Sequence, residues 1–235
     1  MPVGHSYPKK YRHTRSDVNR VIRENGLPDM GFEIRKNDLI LDGGNVIAAK
    51  DKVILTGKVF TENLGLKVSE SGLVRQEQRE AVISRIKRDF GVQEVIIIPR
   101  LPGDPYGHAD GMVRFLNGTD VLINDDNPDA HYSESFRCKL REFRDTLKAH
   151  GLNVVAVVPL RHYETNFYIN FLEVGKLIFL PTFADKKRDE NAIALFSEIF
   201  KKENVIPVPS NEIMRQGGVL HCISWGVKYS SLSRN

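Results

Sequence analysis

The sequence predicts an α/β fold built from repeated β-β-α-β units, and three observations support this. Short β-rich runs occur in pairs around tight turns, each pair precedes a segment with helical periodicity, and an apolar strand follows each helical segment. The pairs open near residues 45, 111, 167 and 218, a spacing of about 50 to 65 residues that is long for a solenoid and typical of a radial array. We therefore expect an α/β propeller of four or five units, with the opening turns converging at one end of its axis.

The hairpins, helices and strands of the units can be placed along the chain. The first unit is predicted as a hairpin, a helix ended by Gly91 and a strand, at residues 46–49 with 52–56, 75–89 and 94–98. The second has the hairpin signal Asn117-Gly118, with elements at 112–116, 120–124, 133–150 and 153–158. One face of its helix carries the apolar residues Phe136, Leu140, Phe143 and Leu147. The third unit is predicted at 167–174, 176–180, 189–201 and 205–208, and a fourth opens at Gly218 with a strand at 219–225.

Composition indicates a folded protein of ordinary polarity. Of the 235 residues, 41% are hydrophobic and 27% charged, and the net charge is +4. The basic excess near the N-terminus lacks the dense stripe with interleaved aromatics typical of a nucleic-acid binder, so we expect no nucleic-acid partner. Two cysteines, no apolar run of membrane-spanning length and no signal-peptide core lead us to expect a cytoplasmic protein with no membrane partner.

Three segments at hairpin openings carry reactive or acidic groups: residues 41–45, 103–111 and 216–224. The predicted architecture would bring them to equivalent places around the axis. His108 and Asp110 are two residues apart, so on an extended strand both side chains would point to the same face and could serve one substrate. A surface turn contains the same residue types, and taken alone the pair favours that interpretation.

Cys222 follows Gly217-Gly218 in a predicted apolar strand. The glycines indicate a backbone that another group approaches closely, which favours a reactive thiol. For Cys138, inside an amphipathic helix, we expect a buried structural cysteine instead. His221 should point away from Cys222, because adjacent residues of a strand face opposite sides. His108 is therefore the best candidate for the base.

Five motifs stand in one order along the chain: Leu-Asp-Gly-Gly-Asn, Gly-His-Ala-Asp-Gly, Tyr-Ile-Asn-Phe, Pro-Thr-Phe and Gly-Gly-Val-Leu-His-Cys-Ile-Ser. From roughly residue 38 to 225, this ordered set resembles the agmatine deiminase and bacterial peptidylarginine deiminase family. The resemblance implies a pentein, the five-bladed ββαβ propeller of guanidine-modifying enzymes, here expected without its first unit. Residues 1–37 are then an irregular segment with a short helix at 17–25, and residues 38–235 a single pentein-like catalytic domain.

The resemblance also implies a deiminase mechanism. Cys222 is the nucleophile that attacks the guanidinium carbon, His108 acts as acid and then base, and Asp110 clamps the guanidinium. The matched substrate-binding positions are Asp104, Asn170 and Asp42. For the Asp-Gly-Gly-Asn segment a structural role as a tight turn stays open. The resemblance implies neither a metal nor an organic cofactor.

One family feature has no counterpart in this sequence. Relatives carry an upstream Trp-x-Arg-Asp segment whose aspartate is the second guanidinium clamp. Either activity is impaired, or Asp17, Asp104 or an acid of a partner subunit replaces that clamp. An open propeller would also expose strand edges, so dimerisation through the gap, giving a homo-oligomer, is a further hypothesis.

Two classes of function follow from the sequence. The first is hydrolysis of a guanidino group, with agmatine, a peptidyl arginine or another linear guanidine as substrate, and amidino transfer as a variant in which an amine replaces water. The second is a catalytically impaired relative that keeps the pocket as a binding module.

Overall fold

A computed structural model describes residues 24, 38–66, 74–102, 104, 106–125, 132–159 and 168–226. Apart from Glu24, which is helical, the N-terminal segment 1–37 and its expected helix at 17–25 lie outside the described residues. Within the described part of the chain, no helix is long and apolar enough to cross a membrane.

The described residues form three successive β-β-α-β repeats. The first contains β1 (Ile47–Ala49), β2 (Lys52–Thr56), α1 (Lys58–Asn63), α2 (Gln76–Phe90) and β3 (Glu94–Ile98). The second contains β4 (Val113–Phe115), β5 (Asp120–Asp125), α3 (Glu134–Ala149) and β6 (Asn153–Pro159). The third contains β7 (Leu172–Val174), β8 (Leu177–Thr182), α4 (Lys186–Phe200) and β9 (Val205–Pro209), followed by the single helical turn α5 (Asn211–Met214). The repeats confirm the predicted order of elements.

Each repeat has its own three-stranded sheet, with the second hairpin strand in the middle. In the first sheet, β1 pairs antiparallel with β2 and β2 pairs in parallel with β3, Val53 lying opposite Val95. The third sheet repeats this pattern with β7, β8 and β9. A tight turn joins antiparallel neighbours, whereas a parallel partner needs a helical crossover, so the order within each sheet follows from the connection lengths.

Local signals define the helix ends. The Ser133 side chain accepts a hydrogen bond from the Phe136 N–H and so caps the start of α3. Gly91 ends α2 in a left-handed conformation with φ of 66°, which suits a residue without a Cβ. All four apolar residues predicted for one face of α3 are buried: Phe136, Leu140, Phe143 and Leu147. This face is confirmed.

Some predictions about elements and burial are wrong. Cys138 is exposed on α3, where its sulfur lies 3.3 Å from Nη2 of Arg141, because its position falls on the polar side of that helix. The strand predicted at 167–174 begins only at Leu172, since residues 168–170 form a turn. The sequence did not predict α1, a short helix directly after β2.

By internal contacts the chain divides into two compact units, which are not the same as the β-β-α-β repeats and are called the first and second unit from here on. The first comprises Met1–Ala109, Phe115–Val121 and Tyr132–Val154, and the second comprises Asp110–Arg114, Leu122–His131 and Val155–Asn235. The core of the first unit packs β2 and β3 against α1 and α2, with Leu55, Phe60 and Ile86 almost fully buried. In the second unit, Phe171 packs edge-on against Phe196 of α4.

Two leucines of β8 test this packing. Leu180 is 0% exposed and Leu177 is 38% exposed. We expect Leu180→Ala to lower the free energy of unfolding by about 2–5 kcal/mol, because it removes buried methyl groups and leaves a cavity. The matched change Leu177→Ala should cost clearly less. Denaturant unfolding measures both, and equal losses would contradict the assignment of Leu180 to the core.

Candidate active site

The first unit holds a buried polar cluster around Asp42. Oδ2 of Asp42 accepts a hydrogen bond from Nζ of Lys58 at 2.5 Å and lies 3.1 Å from Nε2 of His108. The same Lys58 nitrogen is 3.1 Å from Nε2 of His108 and 3.5 Å from Oε1 of Glu62. The Asp42 and Lys58 side chains are only 4% and 6% exposed. A lysine, two carboxylates and an imidazole thus share one enclosed space.

The turn and strand around this cluster explain its position. Asp42 precedes a single 3-10 turn, Gly43–Asn45, and Asn45 uses Oδ1 to accept the Thr56 N–H at the end of β2. The Thr56 hydroxyl in turn donates to the Gly107 carbonyl at 2.6 Å, next to His108. Asn45 therefore has a structural role, which was one of the interpretations open for the Asp-Gly-Gly-Asn segment. Asp42, in contrast, directs its carboxylate at Lys58 and His108.

The electrostatics of Asp42 result from opposing effects. Burial alone would raise the pKa of its carboxyl group, but the hydrogen bond with His108 and the positive charge of Lys58 outweigh it. The pKa of Asp42 is therefore held well below its ordinary value of 3.8. Asp42 is a carboxylate throughout the neutral range.

Lys58 was missed in the sequence. Its weak signal was the spacing of Lys58 and Glu62, four residues apart directly after a buried strand, which suits an ion pair on one helix face. Lysine is rarely buried unless it is paired. No spacing rule could show that Lys58 would contact Asp42 and His108, because these residues lie 16 and 50 positions away along the chain.

The second unit holds a cluster around Asp110. Oδ2 of Asp110 lies 2.9 Å from Nδ1 of His221 and accepts a hydrogen bond from the Cys222 thiol at 3.4 Å. The Asp110 side chain is 2% exposed, and His221 reaches further out, at 26%. Because an ionised carboxylate only accepts, Nδ1 of His221 is the donor in this contact. One carboxylate oxygen thus serves both an imidazole and a thiol.

Three sequence-based expectations are wrong here. Residues 220–223 form a turn rather than part of a strand, and the Ser224 N–H bonds to the His221 carbonyl. His221 therefore does not point away from Cys222, since both side chains contact Asp110. His108 lies in irregular backbone and Asp110 in a turn before β4, rather than on an extended strand, so strand geometry does not set their directions.

Asn170 explains why the segment at Cys222 forms no strand. Its backbone carbonyl accepts the His221 N–H at 3.1 Å, and its Oδ1 accepts the Cys222 N–H at 3.3 Å. Nδ2 of Asn170 donates to the Asp110 carbonyl at 3.3 Å. Backbone N–H groups that a strand would offer to a neighbouring strand are thus taken by one asparagine. Asn170, 1% exposed, joins the thiol segment to the carboxylate segment.

The Cys222 thiol is held in its protonated form. Loss of water around the sulfur, followed by the negative charge of Asp110, raises its pKa to about 12. Hydrogen bonds from the Val219 backbone and from Asn170 act in the opposite direction without overcoming this. The residue as a whole is nevertheless exposed, so a ligand can reach it. A nearby positive charge would favour the thiolate.

Gly218 fits the expectation of a close approach to the backbone. A Cβ placed on Gly218 would lie 2.8 Å from both Cβ and Sγ of Cys222. The approaching group is therefore the cysteine side chain, folded back over the glycine. Any larger residue at position 218 would displace the sulfur from Asp110.

Asp104 shows a local role. Its Oδ1 accepts the Tyr106 N–H at 2.8 Å, which makes an Asx turn before His108. Its backbone carbonyl accepts from Nη2 of Arg100 at 3.4 Å. Asp17, the other candidate for a replacement clamp, lies outside the described residues. Among the described residues, no group of three or more histidine, cysteine or acidic side chains could hold a metal ion.

Removal of the Asp110 charge tests the electrostatics of Cys222. Asp110→Asn should lower the pKa of the thiol, because the carboxylate raises it. Well below the pKa, each unit by which the pKa falls gives about tenfold more thiolate, so alkylation of Cys222 by iodoacetamide at pH 8 should become faster, by up to about tenfold for each unit. Peptide mass spectrometry reads the rate, with the exposed Cys138 of the same chain as internal reference. An unchanged or slower rate at Cys222 would contradict this account.

Known proteins are similar in sequence to this chain. Residues 5–227 match the family model described as Porphyromonas-type peptidyl-arginine deiminase. The agmatine deiminase of Pseudomonas aeruginosa (strain LESB58) is 27% identical over 223 residues, which cover 81% of this chain and 57% of that protein. The agmatine deiminase of Medicago truncatula is 28% identical over 220 residues, covering 80% and 57%. The chain thus spans less than two thirds of the length of these relatives.

Solved structures share the fold. The agmatine deiminase of C. jejuni has a TM-score of 0.68 at 21% identity, with 88% of this chain and 62% of that chain covered. The agmatine deiminase of Enterococcus faecalis has a TM-score of 0.64 at 16% identity, covering 86% and 60%. With a family model matched over nearly the whole sequence, this chain belongs to the Porphyromonas-type peptidyl-arginine deiminase family.

Proposed function

We propose that the protein hydrolyses a guanidino group through a covalent intermediate on Cys222, releasing ammonia and leaving a ureido product. The observation that carries this proposal is the thiol of Cys222 hydrogen-bonded to the buried carboxylate of Asp110. A nucleophile and an anion then face the same ligand group. A guanidinium is planar and cationic, and a carboxylate binds it through charge-assisted hydrogen bonds while the sulfur attacks its carbon.

The proposed reaction has two steps. The Cys222 thiolate attacks the guanidinium carbon, and the C–N bond to one terminal nitrogen breaks as that nitrogen takes a proton from His108 and leaves as ammonia. The product of this step is a thiouronium on the sulfur. Water, deprotonated by His108, then attacks the same carbon, and the C–S bond breaks to return the thiolate. The proposal therefore requires the imidazole of His108 to reach the carbon bound to Cys222.

Four further polar residues have roles in this proposal. Asp110 holds the guanidinium, and Asn170 orients both Asp110 and the Cys222 segment through the hydrogen bonds described above. Asp42 acts through its contact with His108 rather than through the substrate. Asp104 supports substrate binding through the loop that it caps. The proposed steps use only protein side chains and water, so we propose a reaction without a cofactor.

The raised pKa of Cys222 makes the cationic substrate part of the activation. In the free protein, burial and Asp110 keep the thiol protonated. A bound guanidinium brings a positive charge beside the carboxylate and the sulfur, which favours the thiolate. A neutral isostere would lack this effect. Selectivity for cations would thus arise from the same charge that clamps the substrate.

For the substrate, we propose a linear guanidine of the agmatine type, because curated relatives are named agmatine deiminase. Peptidyl arginine is the other substrate class that the family description names. We further propose that the three β-β-α-β repeats belong to a pentein-type propeller, in line with the shared fold. That this chain forms a homo-oligomer remains a prediction.

One observation favours a second function, that of a binding module. A thiol with a pKa raised to about 12 is almost entirely protonated near neutral pH and is a weak nucleophile until something activates it. If the guanidinium does not activate Cys222, the protein would bind the cation at Asp110 without turning it over.

Ammonia release separates these functions. Wild type should release ammonia and form a ureido product from agmatine or from a blocked arginine amide, and Cys222→Ala should release none, because no covalent intermediate can form. Cys138→Ala is the matched control and should keep full activity. A coupled ammonia assay and a colorimetric ureido assay measure the two products.

Turnover that survives Cys222→Ala would eliminate the proposed mechanism. Saturable agmatine binding by calorimetry, with no ammonia released by wild type, would favour the binding module. Asp110→Asn should weaken such binding in either case, because it removes the anion that faces the guanidinium.

A further inference from the structure

The segment that carries Cys222 also carries the two most exposed large apolar side chains in the described part of the chain. Ile223 is 65% exposed and Trp225 is 66% exposed. Large apolar side chains are usually covered in a folded protein, and neighbouring exposed ones often mark a ligand groove or a contact surface. The proposed mechanism uses neither residue. Both are therefore candidates for a contact outside the chemistry itself.

Chain connectivity holds both side chains close to the thiol. The Cα atom of Ile223 is about 3.8 Å from that of Cys222, and even a fully extended chain would keep the Cα atom of Trp225 within about 11 Å. The segment is not extended, because the N–H and the hydroxyl of Ser224 both donate to the His221 carbonyl at 3.2 Å. An indole ring reaches several ångströms from its Cα atom. Trp225 is thus within reach of a ligand bound at Cys222.

Exposure increases from the buried carboxylate toward these two residues. The Asp110 side chain is 2% exposed and that of His221 is 26% exposed, whereas Ile223 and Trp225 are mostly in solvent. In the proposed function, on which this step rests, the guanidinium binds at Asp110. The remainder of the substrate then extends toward solvent, and its carbon chain passes the apolar side chains that border the thiol.

The composition of the segment indicates which kind of substrate tail it suits. Between residues 219 and 226, His221 and Cys222 are the only ionisable side chains, and four residues are apolar: Val219, Leu220, Ile223 and Trp225. The segment therefore offers apolar surface to a ligand and no carboxylate for a distant cation. An alkyl chain gains from contact with such a surface because it leaves water.

We propose that Ile223 and Trp225 form an apolar rim that determines specificity by contacting the alkyl chain of the guanidine substrate. Guanidines with an unbranched chain of several methylenes then bind more tightly than guanidinium itself or short alkylguanidines, since each methylene that the rim covers is removed from water. The rim selects for the chain and not for the group at its far end. Agmatine meets this requirement through its methylenes rather than through its terminal amine.

Tryptophan fluorescence tests the rim directly, because Trp225 is the only tryptophan in the sequence. Titration with n-butylguanidine, which has a chain but no second charge, should change the emission of wild type and of Cys222→Ala and protect the indole from acrylamide quenching in a saturable way. Guanidinium chloride lacks the chain and butylamine lacks the guanidino group, so neither should protect it. Butylguanidine binding that saturates by calorimetry while quenching stays unchanged would overturn the inference.

A chain-length series measures the contribution of the rim. From methylguanidine to n-butylguanidine, three methylenes are added, and calorimetry on Cys222→Ala should show about tenfold tighter binding or more, since a fully buried methylene contributes up to about fourfold. Adding Trp225→Ala should reduce this increment to about threefold or less, and Ile223→Ala should reduce it in part. Phe90→Ala, at an exposed aromatic residue of α2, is the matched control and should keep the full increment. An increment that is equal with and without Trp225 contradicts the proposal.

Other outcomes separate this inference from its alternatives. If a second copy of the chain covers the rim, quenching of Trp225 will depend on protein concentration and not on butylguanidine, and the inference fails. The binding measurements need no turnover, so a chain-length increment that depends on Trp225 in a protein that releases no ammonia would retain the rim and eliminate the proposed function. Ammonia release with an increment independent of Trp225 would do the reverse. Absence of binding by every guanidine, in wild type and in Cys222→Ala, would also overturn the inference.

Discussion

A single oxygen of the Asp110 carboxylate contacts both the His221 imidazole and the Cys222 thiol, and the chemistry proposed for this protein depends on that shared contact. A carboxylate that is 2% exposed needs compensating partners, because burial of an unpaired charge is costly. His221 provides one partner from the turn at residues 220–223. The thiol provides a weaker one, and burial together with the same charge raises its pKa and keeps it protonated. A cationic ligand would compensate the carboxylate better than the thiol does, which couples ligand binding to release of the sulfur proton.

The cluster in the other unit follows a related principle with different partners. Asp42 is a permanent carboxylate because Lys58 and His108 outweigh the effect of burial on its pKa. There the compensating cation is a lysine of the protein, whereas at Asp110 the proposed substrate would bring a further positive charge. A residue that must hold an imidazole in place benefits from a fixed partner. A residue that must bind a cation benefits from partners that it can exchange.

Elements of secondary structure could be predicted from the sequence because their causes are local. The hairpin around Lys50 and Asp51, the glycine that ends α2 and the apolar face of α3 all follow from residues within one or two turns. The turn at Cys222 could not be predicted in this way. Its composition suits a strand, yet its N–H groups bond to Asn170, about 50 residues earlier. The resemblance to a known family singled out Cys222, His108 and Asp110, whereas Lys58 had no motif to indicate it.

The proposed reaction bonds Cys222 covalently to the guanidino carbon. Rapid acid quenching of wild type during turnover of agmatine, followed by mass spectrometry of the peptides, tests this most directly. We predict a transient thiouronium adduct on the peptide that contains Cys222 and none on the peptide that contains Cys138. Ammonia release that proceeds with no adduct on Cys222 at any quench time would contradict it.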